Sequence, residues 1–212
     1  MQLKNVLDKI ENELKEKENV KDEFYDAMRK ATRFSKQAIF LVHKGQLEEA
    51  KKILGKAKKL FGKLGEIPAV HQELRYAGIV SAAFEEYTEA HTFLELVQNN
   101  KFVNPQKIGV PSPSYLLGLA DVVGELRRRT LDFLREGNVK SAEKSLEIME
   151  CIYDNLMGMD EALRAVSELR RKTDIARRIL ETTRGDVTIE VRRNSLERSI
   201  KKLEKSLREE EK

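Results

Sequence analysis

All four prolines of this chain lie between Pro68 and Pro113, which leaves residues 1–67 and 114–212 without one. In both Pro-free stretches the apolar residues recur at steps of mostly three or four. In the first they run Leu3, Leu7, Ile10, Leu14, then Phe24, Met28, Ala31, Phe34, Ala38 and Leu41. A step of three or four keeps side chains on one face of an α-helix and would scatter them over both faces of a strand. Helix formers dominate, and only 11 residues are glycine. The fold class that follows is all-α: one domain, residues 1–212, built as a bundle of about six or seven long helices.

The punctuation divides the chain. Residues 3 to about 43 read as one long helix, with Lys17–Val20 as the place where it would break. A second, Lys-rich helix runs from Gln46 to about Leu64 and is closed by Gly65 and Pro68. A third covers about Val70 to Gln98. "NNKFVNPQKIGVPSPS" (99–114) is the one obvious loop, and Ser112 or Ser114 can cap a fourth helix over about 115–136 that ends at Gly137. A fifth covers about 139–157. A sixth runs from about 160 to 184 and is interrupted at Gly185. Residues 186–212 form a charged, helical C-terminal extension.

Charge and cysteine content limit the function classes. The formal net charge is +4 and the pI about 9.0, which permits an anionic partner without demanding one. The single cysteine, Cys151, excludes an intramolecular disulfide framework and a Cys-rich metal site, and fits a reducing compartment. The N-terminal "MQLKNVLDKIENELKEKE" has no apolar signal-type segment, and no apolar run approaches the ~20 residues of a membrane span. A soluble, cytoplasmic protein with no membrane partner is expected. There is no phosphate-binding G-x-x-x-x-G-K-[ST] loop, no G-x-S-x-G and no recognisable Cys–His pair. His71 and His91 lack His-x-x-x-His partners and read as structural.

Two helices carry carboxylates in unexpected places. At 100° per residue, Ile79, Ala82, Ala83, Ala90, Phe93, Leu94 and Val97 form one apolar arc of the third helix. Glu86 falls inside that arc and Glu89 on its edge, whereas Glu85, Thr88, Thr92 and Glu95 take the opposite, solvent-like side. In the fourth helix, "GLADVVGELRRR" sets Asp121 and Glu125 four apart, flanked by Gly118 and Gly124. Like charges at these spacings repel by a few tenths of a kcal/mol. Glycine inside a helix costs roughly 0.5–1 kcal/mol relative to alanine, which is tolerated where a backbone or ligand must come close. Four carboxylates from two helices could make an all-oxygen site for Mg²⁺ or Mn²⁺ and hydrolyse a phosphodiester. The plainer alternative stays open: Asp121, Glu125, Arg128, Asp132 and Arg135 also form an ordinary solvated stripe, and Glu86 could pair with a buried arginine.

A basic face lies on the first helix. Arg29, Arg33, Lys36, Phe40 and His43 fall within about 80° of one another. Cations for phosphates and a ring for a base suit single-stranded nucleic acid. Asp22, Glu23 and Asp26 nearby leave a solvated face as the alternative.

Three segments together carry a resemblance: "YLLGLADVVGELRR" (115–128), "RKATRFSKQAIFLVHK" (29–44) and "FEEYTEAHTF" (84–93). In order and rough spacing, over about residues 20–185, they resemble the translin family, and within it the branch of translin-associated factor X. The resemblance implies an all-α fold assembling into hollow octamers that bind RNA and DNA. Glu86, Glu89 and Asp121 match that branch's catalytic acids, and Glu125 matches the glutamate one turn on. It therefore implies a Mg²⁺-dependent endoribonuclease with metal ligands Glu86, Glu89, Asp121 and Glu125. Arg29, Arg33, Lys36 and His43 would bind RNA or single-stranded DNA, within a homo-oligomer. The runner-up is a non-catalytic binder of translin type. The sequence departs from the family in the short loop before Tyr115 and in the tail after Gly185, where Leu196, Ile200, Leu203 and Leu207 could make an extra helix contact.

Overall fold

The computed structural model describes residues 2–62 and 77–210, and all regular structure among them is helical. In chain order the helices are α1 (Gln2–His43), α2 (Leu47–Gly62), α3 (Gly78–Asn99), α4 (Pro105–Ile108), α5 (Ser112–Arg135), α6 (Val139–Met157), α7 (Asp160–Ala165) and α8 (Leu169–Glu210). The expected ends of the second helix at Gly65 and Pro68, the expected start of the third near Val70, and His71 lie outside the described residues.

The helices fall into two compact units, Met1–Leu119 and Ala120–Lys212, divided within α5. In the first, α1, α2 and α3 pack on one another. Their shared core holds Phe24, Met28, Ala31, Ala38 and Val42 from α1, Ile53, Leu54 and Ala57 from α2, and Val80, Ala83, Tyr87, Phe93 and Leu94 from α3. α1 is continuous through Lys17–Val20, but its first buried side chain is Phe24. It ends because Gly45 adopts φ 73°, where a side chain would be strained. The chain then turns back with Gln46 N–H donating to Leu41 O at 2.9 Å, which satisfies a terminal carbonyl.

The 99–114 segment is more ordered than a plain loop. Asn104 accepts from Gln106 N–H at 2.8 Å and starts the single turn α4, with Pro105 in the position where a missing N–H costs nothing. The Tyr115 hydroxyl donates to Val103 O at 2.6 Å and ties the segment to α5. α5 begins three residues earlier than 115, at Ser112. Neither serine therefore stands before the helix as a cap, and the Ser114 hydroxyl instead meets that of Ser81 at 3.2 Å.

In the second unit α6 and α7 pack on α8. Met149, Ile152 and Leu156 of α6 and Leu169, Ala176, Leu180 and Val187 of α8 are buried. Gly137, at φ 73°, ends α5, and the Asn138 side chain caps α6 by accepting from Ser141 N–H at 3.2 Å. The expected 160–184 helix differs in two ways. It breaks after Ala165, where Val166 is extended (φ −106°, ψ 99°), and α8 then runs through Gly185 without interruption. A β-branched residue followed by serine is a weak place to continue a short helix. Gly185 is carried by the buried Thr183 and Val187 on either side of it.

Candidate functional site

The first unit brings the basic face of α1 against the acidic position of α3. Arg29, Arg33, Lys36 and Phe40 are exposed. They reach solvent because Ala31, Ser35, Ala38 and Val42 take the inner side of α1, with the Ser35 hydroxyl satisfied by Ala31 O at 3.1 Å. The Lys36 ammonium stands 3.1 Å from the Glu86 carboxylate. Arg29 pairs with Asp26 at 3.3 Å, and Lys44 lies 5.6 Å from the centre of the Phe40 ring. His43 is half-buried, its ring 4.8 Å from that of Phe93, so it serves the α1–α3 packing as well as the basic face.

Glu86 is half-buried, with its side chain 26% exposed, as expected of a carboxylate between core and surface. Its partner is the exposed Lys36 rather than a buried arginine. Glu89 is half-buried one turn on. The rest of α3 corrects the helical-wheel reading. Thr88 and Thr92 are fully buried rather than solvent-facing, and Ala82 is exposed. At Thr88 the cause is the approach of α5. A Cβ at Gly118 would lie 2.4 Å from Glu85 O and 2.7 Å from Thr88 Cβ, so the helices touch backbone to side chain there. Gly118 thus has the close neighbour that its place in a helix implied. Gly124 does not, since a Cβ there would meet nothing within 4 Å. His91 is half-buried with its ring 5.5 Å from Tyr87. Burial lowers its pKa, with the Glu95 charge opposing.

In the second unit Asp121, one turn beyond Gly118 on α5, is held by Lys172 of α8 at 2.5 Å. Lys172 is nearly buried, with its side chain 13% exposed. Glu125 is half-buried on the next turn. The three consecutive arginines divide their work. Arg127 bridges to α8 through the Thr183 hydroxyl at 2.7 Å and Asp186 at 3.3 Å. Arg128 is exposed. Arg129 lies over the Phe133 ring at 4.7 Å, and its pKa is lowered by burial. Asp132 and Arg135 pair with each other at 3.0 Å, as a solvated stripe would.

The four candidate ligands divide between the units: Glu86 and Glu89 in Met1–Leu119, Asp121 and Glu125 in Ala120–Lys212. Among the described residues no three His, Cys, Asp or Glu side chains stand together as metal ligands. Lys172 had no signal in the sequence, because it lies 51 residues from Asp121.

Among the described residues no helix is long and apolar enough to cross a membrane. The translin family pattern matches residues 19–207 and so runs through both units. An uncharacterized protein of Methanocaldococcus jannaschii is 30% identical over 200 residues, covering 94% of this chain and 89% of that protein. The crystal structure of AfC3PO is 34% identical with a TM-score of 0.75, covering 87% of this chain and 96% of that one. AfC3PO in complex with duplex RNA aligns at 34% identity and a TM-score of 0.72, covering 87% and 95%. Apo-NeC3PO shares the fold at 23% identity and a TM-score of 0.77, covering 87% and 96%. With the family pattern spanning nearly the whole helical chain, this protein belongs to the translin family.

Proposed function

We propose that this chain binds RNA along the basic face of α1 and cleaves it as an endoribonuclease of the factor X branch, within a closed homo-oligomer, most simply an octamer, in the cytoplasm. The observation that carries the reading is the Lys36–Glu86 pair at 3.1 Å. It sets cations able to neutralise phosphates beside a half-buried carboxylate, and a pure binder of polyanions gains nothing from that carboxylate. The complex of AfC3PO with duplex RNA supports RNA as the ligand class, at 34% identity.

A divalent ion fits the donor chemistry. Glu86 and Glu89 on α3 and Asp121 and Glu125 on α5 are hard oxygen donors of the kind Mg²⁺ takes. Glu86 and Asp121 each hold a lysine ammonium in this structure, a cation where cationic charge is wanted. When bound, Mg²⁺ would polarise a phosphoryl oxygen and lower the pKa of a water. The remaining work falls to the chain. Arg29 and Arg33 draw the phosphates along α1, and Phe40 offers a ring on which a base can stack. Lys36 can exchange Glu86 for a phosphate, which frees the carboxylate as RNA arrives. The ion pairs of Lys36 and Lys172 use the same carboxylate oxygens a metal would need, so ion binding and these pairs compete.

Labelled RNA incubated with purified protein and Mg²⁺, or with chelator, tests the activity, and Asp121→Asn tests the site. The variant keeps size and removes charge. Cleavage should fall by about two orders of magnitude or more as metal activation is lost, while RNA affinity holds or rises. Binding without Mg²⁺-dependent cleavage in the unmodified protein would leave the translin-type binder, and cleavage by Asp121→Asn at the unmodified rate would remove this residue from the mechanism.

A further inference from the structure

Among the described residues, the N-terminal part of the first helix carries no buried side chain. Every side chain from Leu3 to Asn19 is exposed, and Phe24 is the first to be buried. This arm carries Leu3, Leu7, Ile10 and Leu14 at 71%, 54%, 46% and 61% exposure. Their steps of four, three and four make one apolar seam of coiled-coil type. A helix of this length is marginal in water without packing on its apolar face, so the seam calls for an occupant. Residues 1–18 also lie outside the family match at 19–207, so the family's shared body does not account for them.

We propose that this arm pairs with the same arm of a second copy as an antiparallel two-helix coiled coil. The charges choose both partner and direction. Residues 1–18 hold four lysines (4, 9, 15, 17) and five acids (8, 11, 13, 16, 18), a near balance that gives a polyanion no purchase. In an antiparallel pair Leu3 faces Leu14 of the second copy and Leu7 faces Ile10. Lys4 then flanks the seam opposite Glu11 of the second copy, and Val6 lies opposite Glu13, so no like charges meet. A parallel pair in register would set Glu13 against Glu18 of the second copy, a like-charge contact that selects against it. Glu11 already holds Lys15 at 2.7 Å and has a second oxygen for Lys4 of the other copy. The comparable seam on α8 (Leu196, Ile200, Leu203, Leu207) is exposed too, but antiparallel self-pairing there would face Glu197 with Glu204 of the second copy. There is also room. Leu3 of the second copy would end beside Leu14, ten residues before Phe24 and roughly 15 Å short of it at the helical rise. A two-fold contact of this kind is compatible with any even-numbered closed assembly.

Site-directed cross-linking tests it on the full chain with Cys151, which is exposed, replaced by serine. Under mild oxidation Leu7→Cys/Ile10→Cys should run as a covalent dimer. Leu7→Cys alone, and Asn5→Cys on the opposite face, should stay monomeric on a denaturing gel. Leu7→Lys/Ile10→Lys should lower the mass in solution, whereas Arg33→Ala should weaken RNA binding at unchanged mass, which separates the arm from the RNA-binding reading. Efficient cross-linking of Leu7→Cys alone would mean a parallel pair and overturn the proposal. Cross-linking of the double variant no better than Asn5→Cys, or an unchanged mass for Leu7→Lys/Ile10→Lys, would overturn it as well.

Discussion

Lys36 and Lys172 each neutralise an acid that the proposed chemistry needs, and they differ in burial. Lys36 is 63% exposed and its pair with Glu86 is a surface contact of little intrinsic strength. Lys172 is 13% exposed and Asp121 37%, so removing the lysine charge takes a sheltered cation from a carboxylate that still reaches solvent. Lys172→Met should therefore destabilise the chain by about 1–2 kcal/mol, between the values for surface and buried pairs. If Asp121 also serves a metal, Mg²⁺ should raise the melting temperature of Lys172→Met more than that of the unmodified protein. Equal shifts in a thermal-denaturation titration would separate Asp121 from any metal. The half-burial of Glu86 was legible, because a carboxylate inside an apolar arc is visible from one helix alone, whereas Asp121 showed only as one of two like charges four apart. The lysine partners of both were illegible, because such a pairing depends on which helices meet. The burial of Thr88 and Thr92 is illegible for a related reason. A threonine has both a methyl and a hydroxyl, and at Thr88 the neighbour Gly118 decides which matters.

Helix types were legible where periodicity was long and a glycine marked an end, as at Gly45 and Gly137, whereas the cap at Asn138 was seen only in the structure. Glycines inside helices were not legible, because a helical glycine can mean a stop, a close approach or nothing. Gly185 is passed over by α8, Gly124 faces open space, and Gly118 sits under the backbone of α3. The last two lie on one helix and give a matched pair of predictions. Gly118→Ala must push against Glu85 O, which is backbone and cannot swing away. Overpacking of that kind costs about 1–3 kcal/mol. Gly124→Ala meets no neighbour and should stabilise by roughly 0.5–1 kcal/mol, as the helix-interior penalty of glycine is removed. Chemical denaturation of the two variants decides this. A Gly118→Ala protein as stable as Gly124→Ala would mean that α3 and α5 are not held at this distance. The break at Val166–Glu168, by contrast, had no glycine or proline to announce it.

Across the whole molecule the apolar residues exceed what the two units bury. Besides the α1 arm, Ile189, Leu196, Ile200, Leu203 and Leu207 are exposed along α8, at 48–65%. Apolar surface on that scale is ordinarily covered by other chains, and symmetric closure is the usual way to cover it. Light scattering at micromolar concentration should accordingly give several times 24.4 kDa. A homo-oligomer also makes RNA binding countable. Each phosphate that the protein ceases to neutralise lowers the slope of log affinity against log salt by about 0.9 on the duplex scale. Arg33→Ala changes every copy at once, so a duplex that touches several copies is deprived of several cations together. The slope should then fall by a multiple of about one, uniformly across RNA sequences, since the arginine meets backbone rather than base. A fall of about one would mean that a single copy holds the RNA, and no change would remove the α1 face from the interface. If the slope falls by several units while the mass stays that of the unmodified assembly, the copies present Arg33 to one shared ligand, as a closed shell lined by α1 requires.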